Sequence, residues 1–585
     1  MHPKVGLIQM NRFSRLRVCA LLLSTALVAP TLAIAQEEGG EVDEIVVRGR
    51  FIPEPLRQTS QVAAFLNSED LARSGDSDAA AALTRLSGLS VVRGFVFVRG
   101  LGDRYSSALL NGSPLPSPEP LRRQIPLNLF PSNILDGADV QKTFSANLPG
   151  EFGGGLIDLR TLKQPADPFL SFKVGVGGNT ESTRRRGIVI DGFDRDWTGI
   201  DFGSRDIPGP LNALINQNQR IDLSNFTAAD LEAASESLVN SPVNVLQSEK
   251  LDPDFNAELS AGKTFDLGGF DLGLLALVGY DSQFRTRRSE RIFIPNRTST
   301  ASTRLDAITT TWDIVTNGFA SASVGWGENN EVTVSGLVIR SSTSFAETEQ
   351  GFNVDGVPPD DFAPQPTIEE NLQELASLTT NERRDTSAWY ERMIWQTGVS
   401  GGHRFFDAID FDWRAAYSRS SREAPYERFA NYIFPGATRT TPGIPTLNQG
   451  GQIIRFSDLN DEIVSFGGDL TYAFPIADTR EVTVAAGVAY SKTERDVELL
   501  QFAFDQDRTG AGIALPPELL QSRIDFIFSP DFIGPGLLLL RETTNLDDSH
   551  TGRLRNSAAY IQADAELLPF LRVTAGVRYE DANQR

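Results

Sequence analysis

The feature that most constrains this chain is a period-two alternation that recurs from residue 167 onward without condensing into one long apolar run. In Leu170, Phe172, Val174 and Val176 one face is apolar, while Ser171, Lys173, Gly175 and Gly177 make the other. Ile409, Phe411, Trp413, Ala415 and Tyr417 alternate in the same way with Asp410, Asp412, Arg414, Ala416 and Ser418. So do Val482, Val484, Ala486, Val488 and Tyr490 with their neighbours, and Val573, Ala575, Val577 and Tyr579 with Arg572, Thr574, Gly576 and Arg578. A side-chain period of two is that of a strand. After residue 35 no stretch reaches the ~18 unbroken apolar residues of a membrane-crossing helix.

A soluble sandwich also alternates, so the connections decide. Strand pairs are expected at 254–265 and 270–285, 310–326 and 330–343, 386–402 and 407–422, 461–474 and 480–496, and 552–566 and 569–580, each joined by about three to six residues. Long segments near 286–309, 344–385, 423–460 and 497–551 separate the pairs. Short turns at one end and long loops at the other are the asymmetry of an antiparallel membrane β-barrel. Tyr417, Tyr490 and Tyr579 fall late in strands that run toward long loops, where an interfacial aromatic girdle belongs.

The first 35 residues read differently. Lys4, Arg12, Arg15 and Arg17 precede an apolar run over 18–29, and Ala33-Ile34-Ala35 supplies a small-x-small cleavage site, so 1–35 is expected to be a secretory signal peptide and Gln36 the new N-terminus. The single cysteine, Cys19, lies in that segment, and only His403 and His550 remain beyond it, so no disulfide, His/Cys metal site or other cofactor is expected. With 54 basic against 76 acidic residues the net charge is −22, which argues against nucleic acid as a partner. Arg184-Arg185-Arg186 reads as an exposed loop run. Acidic stretches at 355–370 and at Asp191, Asp194, Asp196 and Asp201 fit either calcium or simple solvation.

Between residues 53 and 163 the grammar is mixed. A helix is expected from Asp76 through Leu83 and Leu86 to a stop at Gly88, then strands at 96–99 and 105–110, a hairpin at Asn111-Gly112, a short helix near Ser132, and strands at 138–143 and 156–161. The segment FGGGLIDLR (152–160) is not a phosphate loop, because a strand rather than a helix follows and no Gly-Lys-Ser/Thr is present.

Three stretches carry a resemblance: SDAAAALTRLSGLSVV (77–92), VFVRGLGDRYSSALLNGSPLP (96–116) and ADVQKTFSANLPGEFGGGLIDLRT (138–161). Together they resemble the plug of TonB-dependent outer-membrane receptors. The resemblance implies a mixed α/β plug at 53–165 ahead of an antiparallel transmembrane β-barrel at 166–585, preceded by a periplasmic tether at 36–52. The family barrel has about 22 strands. About eleven are countable here, so the chain is expected to hold about half of one, a fragment or truncated product.

Within the tether, Asp43-Glu44-Ile45-Val46-Val47 resembles the TonB box, which the transducer TonB, working with its inner-membrane ExbB-ExbD complex, captures by strand addition. The short tether leaves no room for an extra signalling domain. In the family, basic plug residues pair with barrel glutamates; the matching positions are Arg99 and Lys142, and lysine lacks the bidentate fork of arginine. Gly153, Gly154 and Gly155 would let the chain turn tightly and lie close to neighbouring backbone. The implied function is TonB-driven import of a scarce or bulky nutrient, such as a siderophore, cobalamin or an oligosaccharide, across the outer membrane of a Gram-negative bacterium. Outer-membrane lipid and an extracellular ligand are the further partners, and no catalytic residues are expected. A passive porin or adhesin barrel and a non-functional remnant are the competing readings.

Overall fold

The computed structural model describes residues 63–67, 69–71, 78–165, 167–239, 246–293, 303–327, 329–353, 382–406, 408–434, 446–477, 480–506, 517–545, 547–568 and 571–585. The signal segment and the tether lie outside the described residues.

The plug begins with β1 (Ala63–Asn67) and helix α1 (Ala79–Leu83). Asp78 caps α1 by accepting a hydrogen bond from the Ala81 amide at 2.9 Å, and its alanines pack inward with Leu83. The helix is shorter than expected. It stops at Leu83, where the Thr84 hydroxyl bonds back to the Ala81 carbonyl, and Gly88 (φ +76°) turns the chain into the hairpin of β2 (Leu89–Val92) and β3 (Phe95–Val98). Next come β4 (Ser106–Leu110) and β5 (Ser113–Pro114), joined by Asn111 (φ +51°) and Gly112 (φ +73°), the two left-handed residues of a type I′ turn. Strands β6 (Leu135–Gln141) and β7 (Gly155–Thr161) complete a five-stranded sheet in the order β1-β6-β7-β4-β5. Its core holds Phe130, Ile134, Val140, Ile157 and Leu159, all at 1% exposure or less.

Beyond the plug, eleven strands follow one antiparallel path: β8 (Phe169–Gly177), then, after the short strands β9 (Arg186–Ile190) and β10 (Leu246–Lys250), β11 (Asp254–Asp266), β12 (Phe270–Phe293), β13 (Thr303–Trp326), β14 (Asn330–Asn353), β15 (Glu382–Phe405), β16 (Ile409–Ile433), β17 (Thr446–Ala477), β18 (Arg480–Gln506), β20 (His550–Leu568) and β21 (Leu571–Gln584). A short β19 (Leu538–Glu542) pairs beside the upper end of β18. The five expected pairs are all present. Most strands run farther outward than the alternation indicated, because alternation is a signal of half-burial and fades where both faces are covered, as at Leu305, Asp306, Ala307 and Ile308. The edges β8 and β21 are not paired with one another, so the barrel is not closed.

Alternation gives the sheet two distinct faces. One carries Leu277, Phe319, Leu337 and Ile339 and meets the plug core. The other exposes Leu274, Val278, Val334, Val338, Val464, Phe466 and Val488 in an apolar belt. Aromatic rings mark both margins of that belt. Trp326, His403, Phe405 and Phe411 cluster at the short-turn end, while Trp395 against Tyr417 and Phe466 against Tyr490, both with centroids 5.1 Å apart, lie toward the long connections. Tyr579 is also exposed, at 71%.

The long segment 497–551 is more than a loop. Helices α2 (Gly209–Ile215) and α3 (Ala228–Val239), from the connection after β8, pack with β9, β10, α4 (Pro517–Leu520), α5 (Ile524–Ile527) and β19 into a cap over the upper strand ends. Its core includes Leu211, Leu231, Leu238, Ile454, Phe502 and Phe528.

Candidate functional site

The plug meets the sheet across two unlike flanks. On β12 to β15, Leu275, Leu277, Phe319, Leu337, Ile339 and Ile394 join the plug's own core in one continuous apolar cluster. The alternation aims these side chains at the plug, since each lies on the face opposite the belt. From Arg392 on the upper part of β15 round to β21 the contact is polar, and a cavity of about 1060 Å³ lies between the two bodies.

Four sheet arginines reach the plug. Arg414 donates through Nε to the Gly112 carbonyl (3.0 Å) and through Nη1 to Asp469 (2.6 Å), while the Tyr560 hydroxyl donates to the other Asp469 oxygen (2.7 Å). The Gly112 amide donates to Asp158 on β7 (2.9 Å), so the hairpin tip is held from both sides. Gly112 suits this position because its φ is positive, and a Cβ would also crowd the Arg414 side chain, 3.1 Å from its Cδ.

Higher up, Arg495 donates to the carbonyls of Ser117 (3.0 Å), Glu119 and Arg122 (both 3.3 Å) and pairs with Asp461 (2.6 Å), which accepts the Ser117 amide (3.0 Å). Arg392 pairs with Glu119 at 2.9 Å. Near the last strand, Arg578 reaches the Ala146 and Asn147 carbonyls at 3.4 and 3.5 Å, and Glu580 accepts the Gly150 amide at 2.9 Å. Most of these bonds go to plug backbone. They therefore depend on the plug's path and not on its side chains.

Inside the plug, Asp139 on β6 and Asp158 on β7 face each other across the ladder. Burial pushes the Asp158 carboxyl up to about 6, against the lowering influence of the Gly112 amide, with Asp139 adding to the rise. Burial likewise raises Asp139, although Arg160 lies 3.3 Å away and opposes the shift.

Lys142, 7% exposed, donates to the Ser87 carbonyl at 2.6 Å, and Arg99, exposed and left-handed (φ +55°), donates its amide to Gly88 at 2.8 Å. The structure brings these two cations to one turn of the plug, and among the described residues neither meets a barrel carboxylate. Burial and then the Arg99 charge lower the Lys142 ammonium.

Gly153, Gly154 and Gly155 pack against Tyr105, Leu101 and Val98. A Cβ on Gly155 would lie 2.7 Å from Val98. None of the three has positive φ, so close approach and not a left-handed turn accounts for them. The segment Asp43–Val47 lies outside the described residues. In the acidic group, Asp196 and Asp201 are both taken by the buried Arg205 guanidinium, which also lies 4.4 Å from the Trp389 ring. Among the described residues no three His, Cys, Asp or Glu side chains are grouped to hold a metal ion.

The arginine clamps were not singled out from sequence. Arg414 and Arg578 stand on the charged side of the alternation, which is the available signal, but the pattern does not say what that side meets.

Residues 55–156 match the family model of the TonB-dependent Receptor Plug Domain, in agreement with the plug resemblance. A search of the curated proteins gives no match. Among solved structures, the ferric-catecholate import receptor Fiu from E. coli K12 in its closed form is 12% identical, with 90% of this chain and 80% of that one covered and a TM-score of 0.35. The ferric citrate transporter FecA in its unliganded form is 11% identical, covering 90% and 78%, with a TM-score of 0.30. The siderophore receptor PiuA from Acinetobacter baumannii is 10% identical, covering 90% and 79%, with a TM-score of 0.31. At such low identities and scores, function is argued from the chain itself.

Proposed function

We propose that this chain is an outer-membrane receptor that imports a bulky or scarce nutrient when TonB, energised through ExbB-ExbD, pulls on its plug. The observation that carries the reading is a plug domain seated against a belted antiparallel sheet, apolar on one flank and clamped by exchangeable polar bonds on the other. Apolar contacts hold the plug in place at rest. Hydrogen bonds from Arg414, Arg495 and Arg578 can be traded for bonds to water at small net cost, so a mechanical pull opens that flank first. The cavity there gives the opening a starting volume.

In this reading Asp43, Glu44, Ile45, Val46 and Val47 form the TonB box, and the signal peptide at 1–35 and tether at 36–52 deliver and present it. Arg99 and Lys142 stabilise the plug at its Ser87–Gly88 turn and form a cationic spot for a partner carboxylate. Gly153 to Gly155 keep β7 close to β3. The protein is a receptor and not an enzyme. Siderophores, cobalamin and oligosaccharides remain equal candidates as ligand.

Deleting residues 43–47 tests the proposal. Energised uptake is expected to vanish while surface binding of the nutrient persists. Uptake at the undiminished rate would overturn the TonB assignment, and uptake that survives loss of proton-motive force would favour a passive pore.

A further inference from the structure

The connection after β8 does not simply rise away from the sheet. Residues 196–201 lie across four adjacent strands: the Tyr280 hydroxyl on β12 donates to the Trp197 carbonyl (2.7 Å), Gly199 rests on Ile314 of β13 and accepts a bond from Ser342 of β14, and the Asp201 amide bonds Glu391 of β15. Register fixes which face this is. Tyr280 and Leu277 on β12, Ile314 and Phe319 on β13, and Ser342 and Ile339 on β14 are each separated by an odd number of positions in ladders without bulges, so they point to opposite faces. The plug holds the faces of Leu277, Phe319 and Ile339. The crossing segment therefore lies on the belt face, outside the wall.

Its height is also defined. Tyr280, Ile314, Ser342 and Glu391 stand about ten to fourteen residues along their strands from the short turns, which at the usual rise and tilt is roughly 25–30 Å, the top of an outer-membrane apolar band. Below the segment, the belt face of β12 to β14 forms a trough of about 1050 Å³ floored by Ala276, Ala320, Ala322 and Gly336. The trough floor and the crossing segment are about six residues apart on β13 and β14, roughly one leaflet's depth on tilted strands. At this height the segment exposes Trp197 (58%) and Phe202 (55%), with the Arg195 guanidinium 5.3 Å from the Phe202 ring. Exposed aromatics beside a cation are what the headgroup layer accepts.

We propose that residues 195–202 are a membrane anchor: Trp197 and Phe202 sit in the headgroup layer of the outer leaflet, whose acyl chains fill the trough beneath. The occupant is lipid because the segment is continuous with the apolar belt, whose Leu274, Val278, Val334 and Val338 stay exposed below it. The anchor fixes the cap, and with it the entrance to the barrel, at the membrane surface. The inference rests on the outer-membrane reading.

The test compares the full-length chain with Trp197→Phe, both reconstituted in vesicles of phosphatidylcholine or of its brominated analogue, with iodide as the aqueous quencher. Heat-modifiable migration on gels checks that both fold. The chain has six tryptophans, so the difference between the two spectra isolates Trp197. Brominated lipid is expected to lower that difference emission by about twofold or more, with little effect of iodide. Quenching by iodide alone would place Trp197 in water and overturn the anchor. Protection from both quenchers would mean that protein covers it, and would equally overturn it. If bromolipid quenches none of the six, the membrane reading itself fails; if it quenches the other five but not Trp197, only the anchor does.

Discussion

Against β12 to β14 and Ile394 of β15 the plug presses into a continuous apolar cluster, whereas from Arg392 of β15 round to β21 it meets arginines, carboxylates and a cavity. The two flanks belong to one sheet and one plug, yet they resist displacement in different ways. Separating the first exposes apolar area, which water does not compensate. Separating the second exchanges one set of hydrogen bonds for another. A plug held equally on both sides would have to leave as a unit; in the proposed function this one has a seat and a releasable edge.

The comparison breaks most visibly at Phe319, 3% exposed in the apolar flank. Phe319→Ala is expected to cost about 3–5 kcal/mol, the range for truncating a buried phenylalanine. Denaturant unfolding of the purified protein would read the loss, and plug amides near Ile134 and Ile157 would exchange faster. A change under about 1 kcal/mol would mean that the plug does not depend on this flank.

Arg495 probes the other side. Arg495→Ala removes three hydrogen bonds to the plug carbonyls of Ser117, Glu119 and Arg122 and leaves Asp461, 4% exposed at its side chain, without its arginine. About 3 kcal/mol is expected, most of it the cost of the stranded carboxylate. Exchange at Ser117 should quicken while the apolar flank keeps its protection. Uniform acceleration over the whole plug would show that the flanks are not independent.

How much of this was legible in the sequence follows from what alternation encodes. Val482 to Tyr490 or Ile409 to Tyr417 announce a strand with two unlike faces, and Asn111-Gly112 announces its turn, because these are local properties of a few residues. Which body occupies the polar face is a long-range fact. Arg414 reads as a charge on a strand until Gly112, 302 residues earlier, is found beneath it. The cap was hidden for another reason. Its helices are short, and the spacing of Leu211 with Leu214 or Leu231 with Leu238 is too brief to stand out from a loop. Arg205 shows the same limit, since an acidic stretch looks solvated until one arginine is folded into it.

The smallest expected effect also sharpens the contrast, because it varies with pH and the apolar flank does not. Asp158 sits behind the hairpin tip that Arg414 holds, and its folded pKa of about 6 lies above that of an unfolded aspartate. A carboxyl raised in this way contributes its full stability below the unfolded pKa and loses it as pH rises through the folded one. Plug stability should therefore fall between about pH 4 and pH 6 by about 1–2 kcal/mol, less than the full shift implies because Asp158 borders the cavity. Asp158→Asn keeps an acceptor for the Gly112 amide but cannot ionise, so its stability should vary less with pH, the raised Asp139 being the carboxyl left beside it. Hydrogen exchange at Gly112, measured at several pH values and corrected for the intrinsic rate, reads the difference. Equal pH dependence in both proteins would move the titration to Asp139, the facing carboxyl. A fall that also reached the plug amides packed on Phe319 would show that the releasable edge and the seat open together.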